Sequence, residues 1–72
     1  MIVKEELGLY IRKIRKEQKL TLEDLHKKSG VSIPTLSKIE CGIKPSIIVL
    51  GKIAKALDCD INKLFELYGE EI

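Results

Sequence analysis

Hydrogen-bond donors are concentrated in residues 30–42, where three hydroxyl groups and one ammonium group occur at short intervals. These donors belong to Ser32, Thr35, Ser37 and Lys38. A hydroxyl can bond a phosphate oxygen or a base edge, and an ammonium group can donate to a phosphate or to guanine acceptors. The chemistry predicted for this segment is therefore recognition by hydrogen bonds, without bond making or breaking.

Patterns typical of catalysis or metal binding are missing from the sequence. His26 is the only histidine and has no partner at ligand spacing, so we interpret it as a partly packed helix residue. Cys41 and Cys59 lack a framework spacing, and we expect them to be free and mostly buried. No nucleophile with a base and no phosphate-cradling loop is found. We therefore expect no enzyme activity, cofactor, metal or small-molecule substrate.

Two short helices joined by a tight turn are predicted to position the donors. The first covers residues 21–29, and the Thr21 hydroxyl can cap its backbone N–H groups. Asp24 stands three residues later, which approximates a capping box. Gly30 ends this helix, because glycine adopts positive φ without a Cβ penalty.

The second helix of the pair covers residues 32–40. Ser32 is its natural cap, and Pro34 is acceptable because first-turn N–H groups are unpaired in any case. Leu36 and Ile39 point inward at helical spacing. In this arrangement the second helix protrudes far enough to enter a major groove. The residues left facing outward are Ser32, Ile33, Pro34, Ser37 and Lys38.

Three further helices are indicated by apolar residues at helical spacing. One covers residues 4–18, one is opened by Ser46, and the last is capped by Asp60 and ended by Gly69. Their main predicted core residues are Leu7, Ile11, Ile14, Leu50, Ile53, Ala54 and Leu57. No stretch alternates apolar and polar residues, so no sheet is expected. The sequence predicts an all-α chain, a compact bundle of five short helices forming one domain over residues 1–72.

The charges are unevenly distributed. Residues 1–38 hold nine Lys and Arg against five Asp and Glu, whereas residues 39–72 hold four against six. A basic front half suits a protein that meets phosphates with one end. No run approaches the roughly 20 apolar residues of a membrane span, and no export segment is visible. We therefore expect a cytoplasmic protein without a membrane partner.

The order of these features resembles the Cro/C1-type (Xre-like) helix-turn-helix regulators of bacteria and phages. The matching pieces are Leu7-Gly8-x-x-Ile11-Arg12-x-x-Arg15, Leu20-Thr21, Gly30-Val31-Ser32-x-x-x-Leu36-Ser37-x-Ile39-Glu40-x-Gly42, Pro45-Ser46, Leu50-x-Lys52-Ile53-Ala54-x-Ala56-Leu57 and Leu64-Phe65. They cover nearly the whole chain. The resemblance implies a lambda-repressor-like DNA-binding domain, double-stranded DNA as the partner, and a role as a small transcriptional regulator, either a repressor or a controller.

The resemblance also assigns roles to individual residues. The DNA-facing residues of the recognition helix would be Ser32, Ile33, Pro34, Thr35, Ser37 and Lys38. The phosphate contacts would come from Arg12, Lys13, Lys16 and Lys44. Arg15 and Glu40 match the positions of the family's ion pair between the first and third helices. A surface pair of this kind contributes under about 1 kcal/mol, whereas a buried pair is costly to break.

The sequence departs from the family at three places. Ile33-Pro34 stands where the family often carries Gln, Arg or Asn, and Leu22 stands where a phosphate-binding Gln is frequent. His26 replaces the small residue usual inside that helix. A second interpretation follows: a protein-interaction module or antitoxin with the same fold and weakened DNA readout.

Apolar residues of the last two helices suggest an interface. Together they leave more apolar surface than one small bundle can hide, which often marks a contact surface. A two-fold homodimer through these helices would place two recognition helices about one DNA turn apart. The candidate residues are Ile48, Val49, Ile61, Leu67 and Tyr68. The other interpretation is that these residues simply thicken the core.

Overall fold

Five α-helices connected by short turns make up the structure, a computed structural model that describes residues 5–69 and the side chains of residues 7–69. The helices are α1 (Glu5–Glu17), α2 (Leu22–Ser29), α3 (Ile33–Glu40), α4 (Ile47–Leu57) and α5 (Ile61–Gly69). No strand occurs within residues 5–69. The prediction of an all-α bundle of five short helices is confirmed.

Local capping contacts start three of the helices as the sequence predicts. The Thr21 hydroxyl accepts a hydrogen bond from Asp24 N at 3.0 Å, and Asp24 Oδ2 accepts one from Thr21 N at 2.9 Å, which completes a capping box. Ser32 and Ser46 cap α3 and α4. Gly30 follows α2 in the left-handed conformation, with φ of 78°. The starts of these three helices and the end of α2 are thus specified by local sequence.

The end of α1 differs from the prediction. The predicted helix over residues 4–18 is one residue too long at its end, because α1 stops at Glu17; Lys4 lies outside the described residues. Lys19 adopts a left-handed conformation with φ of 60°. This turn leaves the Gln18 side chain free to donate a hydrogen bond from Nε2 to the Leu57 carbonyl oxygen at 2.6 Å. The contact ties the end of α1 to the last turn of α4.

Apolar side chains from all five helices meet in one core. In the bundle, α3 packs on α1 and α2, while α4 packs on α2 and α5, and α5 also contacts α1. The fully buried side chains are Leu7, Ile11, Leu25, Leu36, Leu50, Ile53, Leu57 and Leu64. Truncating one such leucine to alanine typically costs about 2–5 kcal/mol, so these packed helices stabilise one another.

The two cysteines differ in their exposure to solvent. Both cysteines are free; Cys59 is half-buried but Cys41 is exposed, so the expectation of a mostly buried thiol was wrong for Cys41. Cys41 is exposed because it follows the last turn of α3 instead of lying on its inner side.

Across the described part of the chain, no cluster of three metal-ligating side chains occurs. None of the helices described is long and apolar enough to span a membrane.

Candidate nucleic-acid interface

The outward side of α3 is open to solvent. Leu36 and Ile39 are buried against the core, as predicted from their spacing. On the opposite side, Ser32, Ile33, Pro34 and Lys38 are exposed, and Thr35 and Ser37 are half-buried. The structure therefore brings all six predicted recognition residues to one short helix and its cap, with four of them exposed and Thr35 and Ser37 partly covered by the rest of the described chain.

Two of these hydroxyls form a pair at the start of α3. Ser32 Oγ donates to Thr35 Oγ1 at 2.8 Å while accepting from Thr35 N at 3.4 Å. The pair uses the Ser32 proton but leaves the Thr35 proton available to an outside acceptor. Because hydrogen bonds in a chain polarise one another, Thr35 is the better donor of the two.

The turn before α3 is held by side chains from α2. Val31 is buried, and its backbone N donates to Ser29 Oγ at 3.1 Å. His26 Nδ1 lies 2.9 Å from the Val31 carbonyl oxygen. A carbonyl can only accept, so Nδ1 carries the proton in this contact. His26 is partly packed, as expected, but no sequence pattern indicated that it bonds Val31, which precedes the recognition helix and its cap.

The end of α3 is held by an ion pair with α1. Arg15 Nε donates to Glu40 Oε2 at 2.7 Å and Arg15 Nη2 donates to Glu40 Oε1 at 3.0 Å. Arg15 Nη1 also donates to the Leu20 carbonyl oxygen at 2.7 Å. The side chains are only 9% and 6% exposed. The two-bonded contact with Glu40 raises the pKa of Arg15 above its usual value, despite the opposing effect of burial.

A glycine allows α1 to approach this end of α3. A Cβ added at Gly8 would meet the carbonyl oxygen of Ile39 and would lie 2.9 Å from that of Glu40. Glycine inside a helix is unfavourable by about 1 kcal/mol relative to alanine, so such a residue signals a close contact. The glycine at position 8 therefore indicated a close contact of α1, although the family motif alone did not explain why a glycine is needed there.

Three of the four predicted phosphate-binding residues are exposed on α1. Arg12 and Lys16 follow Gly8 at intervals of four residues, which places them on adjacent turns beside the edge of α1 that packs on α3. Lys13 is exposed on a different side of the helix. Arg12 and Lys16 therefore flank the end of the recognition helix more closely than Lys13 does.

The fourth predicted phosphate-binding residue, Lys44, makes a contact that the sequence did not indicate. It is exposed in the connection between α3 and α4, and its ammonium nitrogen lies 4.5 Å from the ring centroid of Tyr68. This is the geometry of a cation–π contact. Lys44 is thus linked to α5 while it remains an exposed residue.

The predicted interface residues fall into two groups. Ile48 is 70% exposed at the start of α4. The remaining four are half-buried and pack partly against the core of their own chain. They are Val49, Ile61, Leu67 and Tyr68.

Comparison with known proteins identifies relatives of this chain. A family model described as helix-turn-helix matches residues 11–64. An uncharacterized HTH-type transcriptional regulator of Mycobacterium tuberculosis, present in two strains, is 41% identical over 63 residues, covering 86% of this chain and 45% of that protein. The HTH-type transcriptional regulator SlrR of Bacillus subtilis is 37% identical over 62 residues, covering 83% of this chain and 41% of that protein. The chain thus spans less than half the length of these relatives. No solved structure shows a significant match.

Proposed function

Because this chain belongs to the Cro/C1-type helix-turn-helix family, we propose that it binds double-stranded DNA and regulates transcription, with α3 in the major groove. One observation carries the proposal: the outward side of α3 is open while both of its ends are fixed to neighbouring helices. A helix held in this way can enter a groove as a rigid unit.

Base recognition is assigned to the outward side of α3. Lys38 donates to guanine acceptors or a phosphate, and Thr35 donates the proton that its contact with Ser32 leaves free. Ser37 supplies a further hydroxyl. Ile33 and Pro34 make apolar contacts, for which a thymine methyl group is the matching feature. The mixture predicts sequence preference through few hydrogen bonds.

Phosphate contacts are assigned to the basic residues around α3. Arg12 and Lys16 reach one backbone strand beside the end of α3, with Lys13 contributing farther out. Lys44 contributes from the connection before α4, positioned by Tyr68. Binding should therefore weaken with salt, with a slope of log K against log salt of about −0.9 for each phosphate neutralised.

The protein acts on DNA as a homodimer in this proposal. The family's recognition helices, when paired by a two-fold axis, read half-sites about 34 Å apart. A role in regulating transcription is supported by the names of the two transcriptional regulators that the chain matches, and the proposed form of that role is a repressor or a controller.

The test is a salt-titrated binding assay with DNA upstream of the protein's own gene and with a random duplex. Lys38→Ala should weaken operator binding about tenfold or more and Ser37→Ala should weaken it less, because each loses a donor facing the groove. Lys63→Ala is the matched control, since Lys63 is an exposed lysine of α5. Arg12→Ala and Lys16→Ala should each reduce the salt slope by about 0.9.

The alternative outcomes separate the candidate functions. Equal affinity of both duplexes, unchanged by Lys38→Ala, would indicate binding through the backbone alone. Absence of binding at low salt would contradict the proposal. That result would favour the protein-interaction module or antitoxin, for which exposed Ile33 is the supporting feature.

A further inference from the structure

The first turn of α3 differs chemically from its second turn. Ile33 and Pro34 are the first two residues of the helix; both are exposed, Ile33 to 38%. Neither side chain can donate or accept a hydrogen bond, and proline also lacks a backbone N–H. Ser37 and Lys38 follow one turn later. The start of the recognition helix therefore presents an apolar surface, and its second turn presents donors.

The hydroxyl groups beside this apolar surface are engaged within the chain. Ser32 Oγ donates its proton to Thr35 Oγ1 and accepts from Thr35 N, so it has no proton left for a base edge. The Thr35 proton remains, but Thr35 is half-buried. The exposed side chains of Ile33 and Pro34 therefore dominate what a ligand meets at the first turn.

The charges around α3 favour a DNA duplex as the partner of this apolar surface. Lys38 is exposed on the next turn, and Arg12 and Lys16 are exposed on α1, which packs against the end of α3. These cations match the phosphates on either side of a groove. In helix-turn-helix proteins the first residues of the recognition helix contact the base edges in the major groove. Ile33 and Pro34 occupy that position in α3.

The major groove offers one apolar feature at a base edge, the methyl group on C5 of thymine. Cytosine carries only hydrogen on C5, and methylation of cytosine places a methyl group where thymine has one. Thymine and 5-methylcytosine then differ at the neighbouring C4, which bears an acceptor in thymine and a donor in cytosine. The side chains of Ile33 and Pro34 have no polar atom that senses this difference.

We propose that Ile33 and Pro34 read the 5-methyl group of a pyrimidine and not its base pair, so that 5-methylcytosine replaces thymine at this position of the operator. Methylation of a cytosine there raises the affinity, and occupancy of the site depends on the methylation state of the DNA. This inference rests on the proposed function, in which α3 lies in the major groove, and it names the feature that the first turn recognises.

The first test removes single methyl groups from the DNA. The probe is the tightest-binding duplex that the wild-type protein selects from a random library, with each thymine replaced in turn by uracil, and fluorescence anisotropy measures Kd. At the position facing Ile33, uracil should weaken binding about fourfold, as expected for losing one buried methyl group. With Ile33→Ala, thymine and uracil should bind equally at that position. Leu9→Ala is the matched control and should keep the wild-type difference, because Leu9 is an exposed apolar residue of α1.

The second test places four pyrimidines at that position, each with its complementary purine. Thymine and 5-methylcytosine should bind the wild type within about twofold of each other, whereas uracil and cytosine should each bind about fourfold more weakly than their methylated forms. The comparison is made within each base pair, so differences between A·T and G·C pairs cancel. A methyl effect that acts through the shape of the duplex would persist in Ile33→Ala, which separates it from direct contact.

Two results would overturn the inference. In one, affinity follows the base pair at every position, with uracil equal to thymine and 5-methylcytosine equal to cytosine. In the other, the methyl effect persists in both Ile33→Ala and Pro34→Ala, which circular dichroism shows to be folded. In both cases the wild type still binds DNA, and the proposed function stands. Failure of the proposed function is recognised separately, because the wild type then selects no duplex from the library at low salt, and this inference falls with it.

Discussion

The two ends of α3 and the groove between α4 and α5 are built in opposite ways. Directed polar contacts hold α3: His26 and Ser29 bond Val31 before the helix, and Arg15 bonds Glu40 at its end. We call these contacts the α3 anchors. The groove has no comparable polar tie across it, and its surface is apolar, open and partly exposed. Its lining includes Gly51, Ala54, Ile61 and Phe65.

Gly8 and Gly51 show the same difference between the two regions. Gly8 lies where a Cβ would collide with the carbonyl groups that end α3, whereas Gly51 lies beside empty space. Directional hydrogen bonds and close backbone contacts fix orientation, which a recognition helix needs. An open apolar surface adapts to a partner, which an interface needs. The contrast teaches that this small bundle uses its polar interactions to orient α3 and leaves an exposed apolar surface between α4 and α5.

Breaking the ion pair of the α3 anchors should have the largest effect. Arg15→Met leaves the Glu40 carboxylate buried without its partner, so we expect the free energy of unfolding to fall by about 3 kcal/mol. Urea unfolding followed by circular dichroism measures the change. The double variant Arg15→Met, Glu40→Leu should recover most of the loss, because no unpaired charge remains. A loss below about 1 kcal/mol would mean that the pair behaves as a surface pair.

Filling the contact between α1 and α3 should have the next largest effect. Gly8→Ala places a methyl group against backbone carbonyls, which cannot move independently, so we expect a loss of about 2 kcal/mol despite the better helix propensity of alanine. The same urea unfolding experiment measures it. If Gly8→Ala is neutral or stabilising, the close approach of the two helices is not as tight as described.

Removing the anchor before α3 should cost less. His26→Ala leaves the Val31 carbonyl oxygen without its side-chain donor, and we expect a loss of about 1 kcal/mol. His26→Gln keeps an amide donor and should lose less. Lys27→Ala is the control, since Lys27 is an exposed neighbour whose ion pair with Glu23 contributes little. Equal losses for His26→Ala and Lys27→Ala would show that the Val31 contact is unimportant for stability.

The elements of the fold were predictable because their signals are local. Thr21 with Asp24, Gly30, Ser32 and Ser46 mark helix ends by their own backbone and side-chain bonds. The end of α1 was predicted one residue too long. The left-handed Lys19 is not a glycine, and the bond from Gln18 to α4 exists only once the bundle has formed.

The candidate site was predictable only in part. Helical spacing alone identifies the outward side of α3, because Leu36 and Ile39 define its inner side. The contact between Arg15 and Glu40 joins residues 25 positions apart, and only the resemblance to a family indicated it. Contacts such as that of Lys44 with Tyr68, and the groove between α4 and α5, arise from the packing of whole helices. No local pattern specifies them.

At Gly51, a change of glycine to alanine should have the opposite effect on stability from the same change at Gly8. Gly51→Ala adds a methyl group into open space and removes the backbone entropy cost of glycine, so it should stabilise the monomer by about 0.5–1 kcal/mol. The measurement is urea unfolding at a protein concentration low enough for monomers to predominate. A destabilised monomer would show that the space beside Gly51 is already in use within the chain, and would remove the contrast with Gly8.

Alkylation of the two cysteines compares the end of α3 with the surface between α4 and α5. It is the smallest perturbation considered, because alkylation to a low extent leaves the fold unchanged. Cys41 follows α3 and is exposed, whereas Cys59 lines the groove and burial raises the pKa of its thiol. The thiolate is the reacting form, so a raised pKa means a smaller reactive fraction at a given pH. Iodoacetamide at pH 8 should therefore modify Cys41 first, and raising the pH should speed Cys59 further. Mass spectrometry of the peptides measures both rates.

The dependence of the two alkylation rates on protein concentration tests whether the groove is covered. If a second copy covers the groove, the modification of Cys59 should slow as the protein concentration rises, whereas that of Cys41 should not, because Cys41 lies outside it. Phe65→Lys should abolish the concentration dependence while leaving the order of reaction unchanged. A Cys59 rate that is independent of concentration, under conditions where the wild type is dimeric, would place the dimer contact elsewhere. The low reactivity of Cys59 would then reflect only the packing of its own chain.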